Sequence, residues 1–315
     1  MDAAEIEHDP QHEGGKKLKL EGKELMSVPH QLFTLEGLEV LEMSPERESC
    51  LRYKMDLIPR EIGGLKNLTL LYLDSNNLKD VPVEIGSLIK LERLTLSNNS
   101  LTSLPEEISG LQRLRSLHLA NNGLVELPPP LCQLRNLVFL DVTDNRIGSI
   151  PDTIHQLQKL ETLLLLFNHL KCLPRGICSL NSLSTLWLGH NKLKALPSSF
   201  GQLVNLDWGW NYCSCNFEGN PLECPPPEIC SGGPAAIREY FASSRGQKGS
   251  VDSGRKIYTF SSLAAELRFP LSVFSEGLFL SHSKMAHRCS MVLPIMGIGK
   301  GKGSPCQFLS SHVRL

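Results

Sequence analysis

The strongest constraint in this 315-residue chain is a pattern that repeats every 23 residues between Leu68 and Asn191. Each repeat has two leucines three residues apart, another apolar residue two positions later, and an asparagine three further on. A short unit of this kind buries too little apolar surface alone, so the period predicts a stack of similar coils. The asparagines in this place are Asn76, Asn99, Asn122, Asn145, Asn168 and Asn191, and after a break in register Asn220.

The two halves of each repeat predict different local structures. Alternating apolar residues in the first half predict a short strand with one buried face, so successive strands form a parallel sheet. The second half begins at a proline, such as Pro82, and its apolar residues are three apart. This spacing predicts a single helical or 3-10 turn. The fold class is therefore an α/β solenoid with a concave sheet, convex turns and a curved horseshoe shape.

The recurring asparagines have a structural interpretation. A turn buried between neighbouring coils exposes backbone N–H and C=O groups that must be paired. An asparagine amide can donate and accept, so a ladder of these side chains can pair them.

The regularity of the pattern also divides the chain. We expect a disordered lead at 1–14, about nine repeat units in 15–232, a capping helix at 233–245, and a disordered non-repeat tail at 246–315. Extra residues interrupt the register within 44–55 and 207–215. The first insertion is either a surface bulge or a loop on the binding face. The second insertion carries Trp208, Trp210 and Tyr212. It is either an aromatic docking loop or sequence from alternative splicing, and the tail could also come from an alternative exon.

Charge and hydropathy limit the class of partner. The formal net charge is −1 and 21% of residues are charged, which indicates neither a nucleic-acid footprint nor an acidic tail. The first residues lack the basic and apolar segments of a secretory signal, and no apolar run approaches the ~20 residues of a membrane helix. We expect a cytoplasmic protein that binds no nucleic acid, does not insert into membranes and keeps its thiols reduced.

Cysteine and histidine spacing predicts neither a metal site nor a catalytic site. Three cysteines follow the convex apolar residue and are predicted to be core thiols: Cys132, Cys178 and Cys230. Four lie close enough to suggest zinc or a disulfide cap: Cys213, Cys215, Cys224 and Cys230. The lack of a C-x-x-C pair and the expected reducing compartment disfavour both. Metalloprotease, P-loop and nucleophile-elbow motifs are also missing, so we predict a protein without catalytic activity or cofactor.

Residues between the leucines should point away from the core, on the concave face of the sheet. They are polar in the early repeats and apolar in the later ones. The predicted partner-binding residues are Tyr72, Arg93, His118, Phe139, Leu164, Leu166, Phe167, Trp187 and His190. The apolar members, here called the concave patch, are Phe139, Leu164, Leu166, Phe167 and Trp187. A contiguous exposed apolar surface usually marks a partner site. The alternative is that the tail or the 207–215 insertion covers it.

The full repeat, L-x-x-L-x-L-x-x-N-x-L-x-x-L-P-x-x-I-x-x-L, resembles the leucine-rich repeat family over about residues 16–245. The 23-residue unit is similar to the intracellular Ras-suppressor class, which includes plant Ras-group-related proteins and the repeats of Scribble-like scaffolds. This resemblance implies a non-enzymatic adaptor in intracellular signalling that binds another protein on its concave face. We expect the chain to be a monomer. Two other possibilities are a regulatory or substrate-recognition subunit of a phosphatase or ubiquitin ligase, and a fragment of a secreted receptor, which the N-terminus disfavours.

Overall fold

The computed structural model describes residues 7–8, 16–20, 28–45, 53–208 and 215–246, which all belong to a unit spanning residues 1–251. Several sequence predictions lie outside these described residues. They are most of the lead at 1–14, residues 46–52 of the first insertion, Trp210, Tyr212 and Cys213 in the second insertion, and the tail from residue 247 onward.

The described strands form one ten-stranded sheet whose spatial order follows the order of the chain. The strands are β1 (Glu7–His8), β2 (Lys16–Lys19), β3 (Val40–Glu42), β4 (Leu70–Tyr72), β5 (Arg93–Thr95), β6 (Ser116–His118), β7 (Phe139–Asp141), β8 (Thr162–Leu164), β9 (Thr185–Trp187) and β10 (Cys215–Asn216). Strand β1, which lies in the predicted lead, pairs antiparallel with β2. From β2 to β10 every pairing is parallel, as the repeat predicted.

The register of the parallel strands aligns the repeated leucines into one apolar spine. Leu71 lies opposite Leu94, and Leu94 lies opposite Leu117. All three side chains are fully buried and belong to one core cluster that extends from Leu18 to Ile237. Each such leucine contributes about 1.5–3 kcal/mol of burial free energy. Since that burial requires both neighbouring coils, no coil is stable alone.

Short 3-10 helices connect the strands on the opposite side of the solenoid. Their bounds are His30–Thr34, Arg60–Gly64, Val83–Ser87, Glu106–Gly110, Pro129–Gln133, Asp152–Gln156, Arg175–Ser179 and Phe200–Gln202. All but the last directly follow a proline, whose fixed φ suits the start of such a turn. The buried residue of a typical turn is Ile85, whose carbonyl accepts a hydrogen bond from the backbone of Leu88. The predicted leucine-rich repeat solenoid with 3-10 turns is therefore confirmed.

Each repeated asparagine links its own coil to the preceding one. The Asn145 amide donates to the carbonyl of Leu119 in the preceding coil at 2.9 Å and to Val142 in its own coil at 3.1 Å. Its side-chain oxygen accepts from the backbone N–H of Leu124 at 3.0 Å. Asn76, Asn99, Asn122, Asn168, Asn191 and Asn220 make equivalent bonds. The asparagines thus pair backbone N–H and C=O groups of the turns that would otherwise be buried without a hydrogen bond.

Two helices close the C-terminal end of the core. They are α1 (Pro227–Cys230) and α2 (Gly233–Gly246). Ile237 of α2 is fully buried, and a Cβ at Gly201 would lie 2.7 Å from the carbonyl oxygen of Pro234, so α2 packs directly on the last 3-10 turn. Trp208, from the start of the second insertion, is half-buried against the same core. This tryptophan therefore takes part in closing the solenoid.

The three predicted core thiols are buried. Cys132, Cys178 and Cys230 are 1%, 3% and 3% exposed, which confirms that interpretation. Burial raises the pKa of all three thiols, that of Cys230 to about 12. Within the described ranges, no group of three or more His, Cys, Asp or Glu side chains could hold a metal ion. None of the helices described there combines the length and hydropathy that crossing a membrane requires.

The asparagine ladder yields a stability prediction. Asn145→Ala removes the acceptor of the buried Leu124 N–H and the donor to three carbonyls, so the free energy of unfolding should fall by about 2–3 kcal/mol. Urea denaturation followed by circular dichroism measures this change. Asn181→Ala is the control, because the Asn181 side chain is exposed and has no described hydrogen bond; its effect should stay within about 0.5 kcal/mol. Equal effects of the two substitutions would contradict the structural role of the ladder.

Candidate functional site

The strands direct two columns of side chains away from the leucine core. Leucines at the centre of each strand point inward, so their neighbours on both sides point outward. The first column contains Leu70, Arg93, Ser116, Phe139, Thr162 and Thr185. The second contains Tyr72, Thr95, His118, Asp141, Leu164 and Trp187. Because the register is regular, neighbours within a column are roughly 4.8 Å apart.

The N-terminal part of this face is an internally hydrogen-bonded polar surface. The Thr95 hydroxyl donates to the Asp74 carboxylate, and the Ser97 backbone N–H donates to the other carboxylate oxygen at 2.7 Å. The Asp74 backbone N–H in turn donates to the Ser44 hydroxyl at 2.9 Å. Burial raises the pKa of Asp74, although these hydrogen bonds oppose the rise. Since these groups already satisfy one another, they offer a partner few unpaired donors or acceptors.

His118 lies where the face changes from polar to aromatic. Its ring stacks on Phe139 with centroids 4.7 Å apart, and its Nε2 lies 2.9 Å from the Ser116 hydroxyl oxygen. Burial, with a smaller contribution from the charge of Arg93, lowers the pKa of His118 to about 4. The imidazole is therefore neutral at pH 7. Burial also raises the pKa of Asp141, the next residue in the column.

The concave patch is only partly exposed. Leu164 is 6% exposed, which corrects the expectation that it contributes free apolar surface. It lies in register between Asp141 and the much larger side chain of Trp187, which leaves little room for solvent. Phe139, Leu166 and Trp187 are half-buried, whereas Phe167 is 51% exposed. Trp187 Nε1 is buried and has no acceptor among the described residues.

One residue per coil, just before the ladder asparagine, has a left-handed backbone. These residues, here called the left-handed row, are Ser75, Asn98, Asn121, Asp144, Phe167 and His190. Asparagine and aspartate tolerate this conformation, but a bulky side chain does so rarely. Phe167 nevertheless has φ 52°, and its ring stacks on His190 with centroids 4.5 Å apart and planes 5° apart. The most exposed aromatic residue of the patch therefore occupies a backbone position that disfavours it.

The structure brings the predicted partner-binding residues onto one face but distributes them unevenly. Tyr72, Arg93 and His118 are half-buried and lie on three consecutive strands, while His190 is exposed beside Phe167. Sequence reasoning missed the left-handed row. The signal that could have revealed it is the run of Ser, Asn, Asn and Asp in the first four places, residue types that favour turns.

Comparisons with known proteins agree with this architecture. The family described as leucine-rich repeat region matches residues 83–169, and the family described as Leucine Rich Repeat matches residues 182–203. No curated protein is similar enough to the chain to count as a match.

Solved structures supply further relatives. A leucine-rich repeat protein of Leptospira interrogans is 36% identical with a TM-score of 0.60, over 68% of this chain and 52% of that one. The plant peptide hormone receptor RGFR1 in complex with RGF2 is 26% identical with a TM-score of 0.53, over 66% of this chain and 31% of that one. An internalin from Listeria monocytogenes, 23% identical with a TM-score of 0.54 over 65% of this chain and 55% of that one, shares the fold. The chain thus spans about half or less of the length of these proteins.

The neutral His118 yields a prediction for pH dependence. Unfolding raises the imidazole pKa from about 4 to its ordinary 6.5, so the unfolded chain binds an extra proton in this interval. Stability contributed by the neutral ring is complete above pH 6.5 and is lost as the pH falls towards 4. The wild type should lose about 1–2 kcal/mol more than His118→Gln between about pH 7 and 5. Urea denaturation across this range measures the difference, and parallel pH profiles would contradict the assignment.

Proposed function

Because the chain is a leucine-rich repeat protein, we propose that it is a non-catalytic interaction scaffold that binds another protein on the C-terminal half of its concave face. Leucine-rich repeat domains are typically protein–protein interaction modules and generally lack catalytic activity. The plant receptor RGFR1 was solved in complex with RGF2, so this fold can hold a partner. Here the binding surface comprises Phe139, Leu166, Phe167, Trp187 and His190.

The observation that carries this proposal is the environment of Phe167. A non-glycine residue in a sparsely populated backbone region costs about 1–3 kcal/mol, and such residues cluster at binding sites. Phe167 bears this cost and is still half exposed, so burial offers it little compensation beyond the stacking on His190. An exposed aromatic residue that stacks on a second ring has the character of an interface anchor.

The cellular setting is part of the same proposal. We place the protein in the cytoplasm, as a monomeric adaptor in intracellular signalling, similar to the Ras-suppressor class. The 23-residue unit supports this class, and the exposed free thiol of Cys172 is compatible with a reducing compartment.

Replacing the anchor separates binding from folding. Phe167→Asn introduces asparagine, the residue type that has the same left-handed backbone conformation at Asn98 and Asn121. Stability should be unchanged or rise by about 1 kcal/mol, because asparagine tolerates this conformation better. Partner binding should weaken by about 30-fold or more, as expected for an interface hot spot. Urea denaturation measures the first effect; capture of lysate proteins on the immobilised full chain, quantified by mass spectrometry, measures the second.

Ile89→Asn is the matched control. Ile89 is 60% exposed and lies outside the concave patch, in the loop that follows the 3-10 helix Val83–Ser87. Its substitution removes a comparable exposed apolar side chain and should leave the captured proteins unchanged. Capture that is equally strong with Phe167→Asn, or lost equally with both variants, would refute this binding surface.

A further inference from the structure

A row of basic side chains borders the concave patch where the chain leaves the strands. Arg146, His169 and Lys192 each follow a ladder asparagine directly, and Lys171 lies two residues after His169. These four residues, whose formal charge comes from Arg146, Lys171 and Lys192, are here called the cationic edge and are all exposed. The patch and the edge occur on the same coils, because Phe167 and His169 flank Asn168 and His190 and Lys192 flank Asn191.

Backbone hydrogen bonds fix the spacing of the cationic edge. The N–H of His169 donates at 2.9 Å to the carbonyl of Ile147, the residue after Arg146. The N–H of Lys192 likewise donates at 2.9 Å to the carbonyl of Leu170, the residue after His169. The three side chains therefore start from adjacent coils about 4.8 Å apart. An extended peptide lying across the coils could contact all three.

The charges of this edge are not neutralised by the described part of the chain. Arg146, Lys171 and Lys192 have no ion pair there, whereas the neighbouring Lys194 lies 4.0 Å from Glu223. Asp144, two residues before Arg146, is an exposed carboxylate in the same coil. Cations without an ion pair beside an apolar anchor attract an acidic partner and repel a basic partner.

The earlier coils lack this arrangement. The places that correspond to Arg146 hold Asn77, Ser100 and Gly123. The left-handed row also lacks aromatic residues in those coils, since it contains Ser75, Asn98 and Asn121. Lys79 does occupy the place that corresponds to Lys171, but cations directly after the ladder asparagine and exposed rings in the left-handed row coincide on the later coils.

We propose that the cationic edge and the Phe167–His190 stack together bind an acidic peptide segment of a partner protein. This inference rests on the proposed function and specifies the partner's chemistry. The carboxylates of the segment pair with Arg146, Lys171 and Lys192, and an apolar or aromatic side chain of the segment packs on Phe167.

The chain's own C-terminal residues do not match this surface. Residues 247–315 contain nine lysines and arginines and three acidic residues, so their charge has the same sign as the edge. A nucleic acid fits less well than a peptide, because few cations are present and an apolar patch adjoins them.

A selection from a random peptide display library on the full-length protein tests the proposal. Peptides retained by the wild type and lost by Phe167→Asn should carry a more negative mean net charge than the starting library. A synthetic peptide from that pool should then bind about tenfold more weakly to the triple variant Arg146→Glu, Lys171→Glu and Lys192→Glu, measured by fluorescence anisotropy. The control variant, Lys66→Glu, Arg113→Glu and Arg135→Glu, reverses three cations that are exposed in loops before the strands and should change affinity less than about twofold.

Each other outcome overturns the inference. Enrichment of neutral or basic peptides that depend on Phe167 would leave the interaction scaffold intact and refute the acidic partner. An enriched pool that does not depend on Phe167, or no enrichment, would refute both. Equal losses in the two triple variants would indicate long-range attraction without a site. Equally tight binding of a single-stranded oligonucleotide, lost in the first triple variant, would assign the edge to nucleic acid. A dimer abolished by that variant in sedimentation would assign it to a second copy of the chain.

Discussion

The solenoid depends on hydrogen bonds that cross from one coil to the next through a buried asparagine. Parallel strands pair only three residues per coil, so the turn that follows them contains backbone groups that the sheet does not satisfy. Asn145 supplies a donor and an acceptor at this point, and its counterparts do so in neighbouring coils. Without these bonds, stacking would bury unpaired polar groups at a cost comparable to the gain from each leucine.

The same constraint produces the left-handed row and thereby part of the proposed binding surface. To turn the asparagine side chain inward, the preceding residue adopts positive φ while its N–H bonds to the next coil, as Phe167 does to the Gly189 carbonyl at 3.1 Å. The position of that residue is therefore fixed by the backbone of two coils. A side chain placed there is held before a partner arrives, which reduces the conformational entropy lost on binding.

The sequence predicted those features that follow from the period itself. The alignment of Leu71 with Leu94, the parallel sheet and the proline-initiated turns all repeat, so each coil gives the same indication. Burial at individual outward positions does not repeat. Leu164 is covered because Trp187 happens to follow it in the column, and a pattern based on one coil contains no information about its neighbour's size. The positive φ of Phe167 does repeat from coil to coil, but phenylalanine itself gives no indication of that conformation. Only the turn-favouring residues in the same place of earlier coils, such as Asn98 and Asn121, could have revealed it.

The aromatic and charged parts of the surface have different physical roles. Stacked rings and the half-buried Trp187 offer short-range contacts that slow dissociation once a partner is seated. Exposed cations act at longer range, and the salt of the solution screens them, so they mainly accelerate encounter and exclude basic partners. The internally satisfied polar half around Asp74 contributes to neither, since its groups already bond to Thr95 and Ser97. The proposed recognition surface therefore lies on the coils from β7 to β9, and the preceding coils extend the same sheet with its regular register.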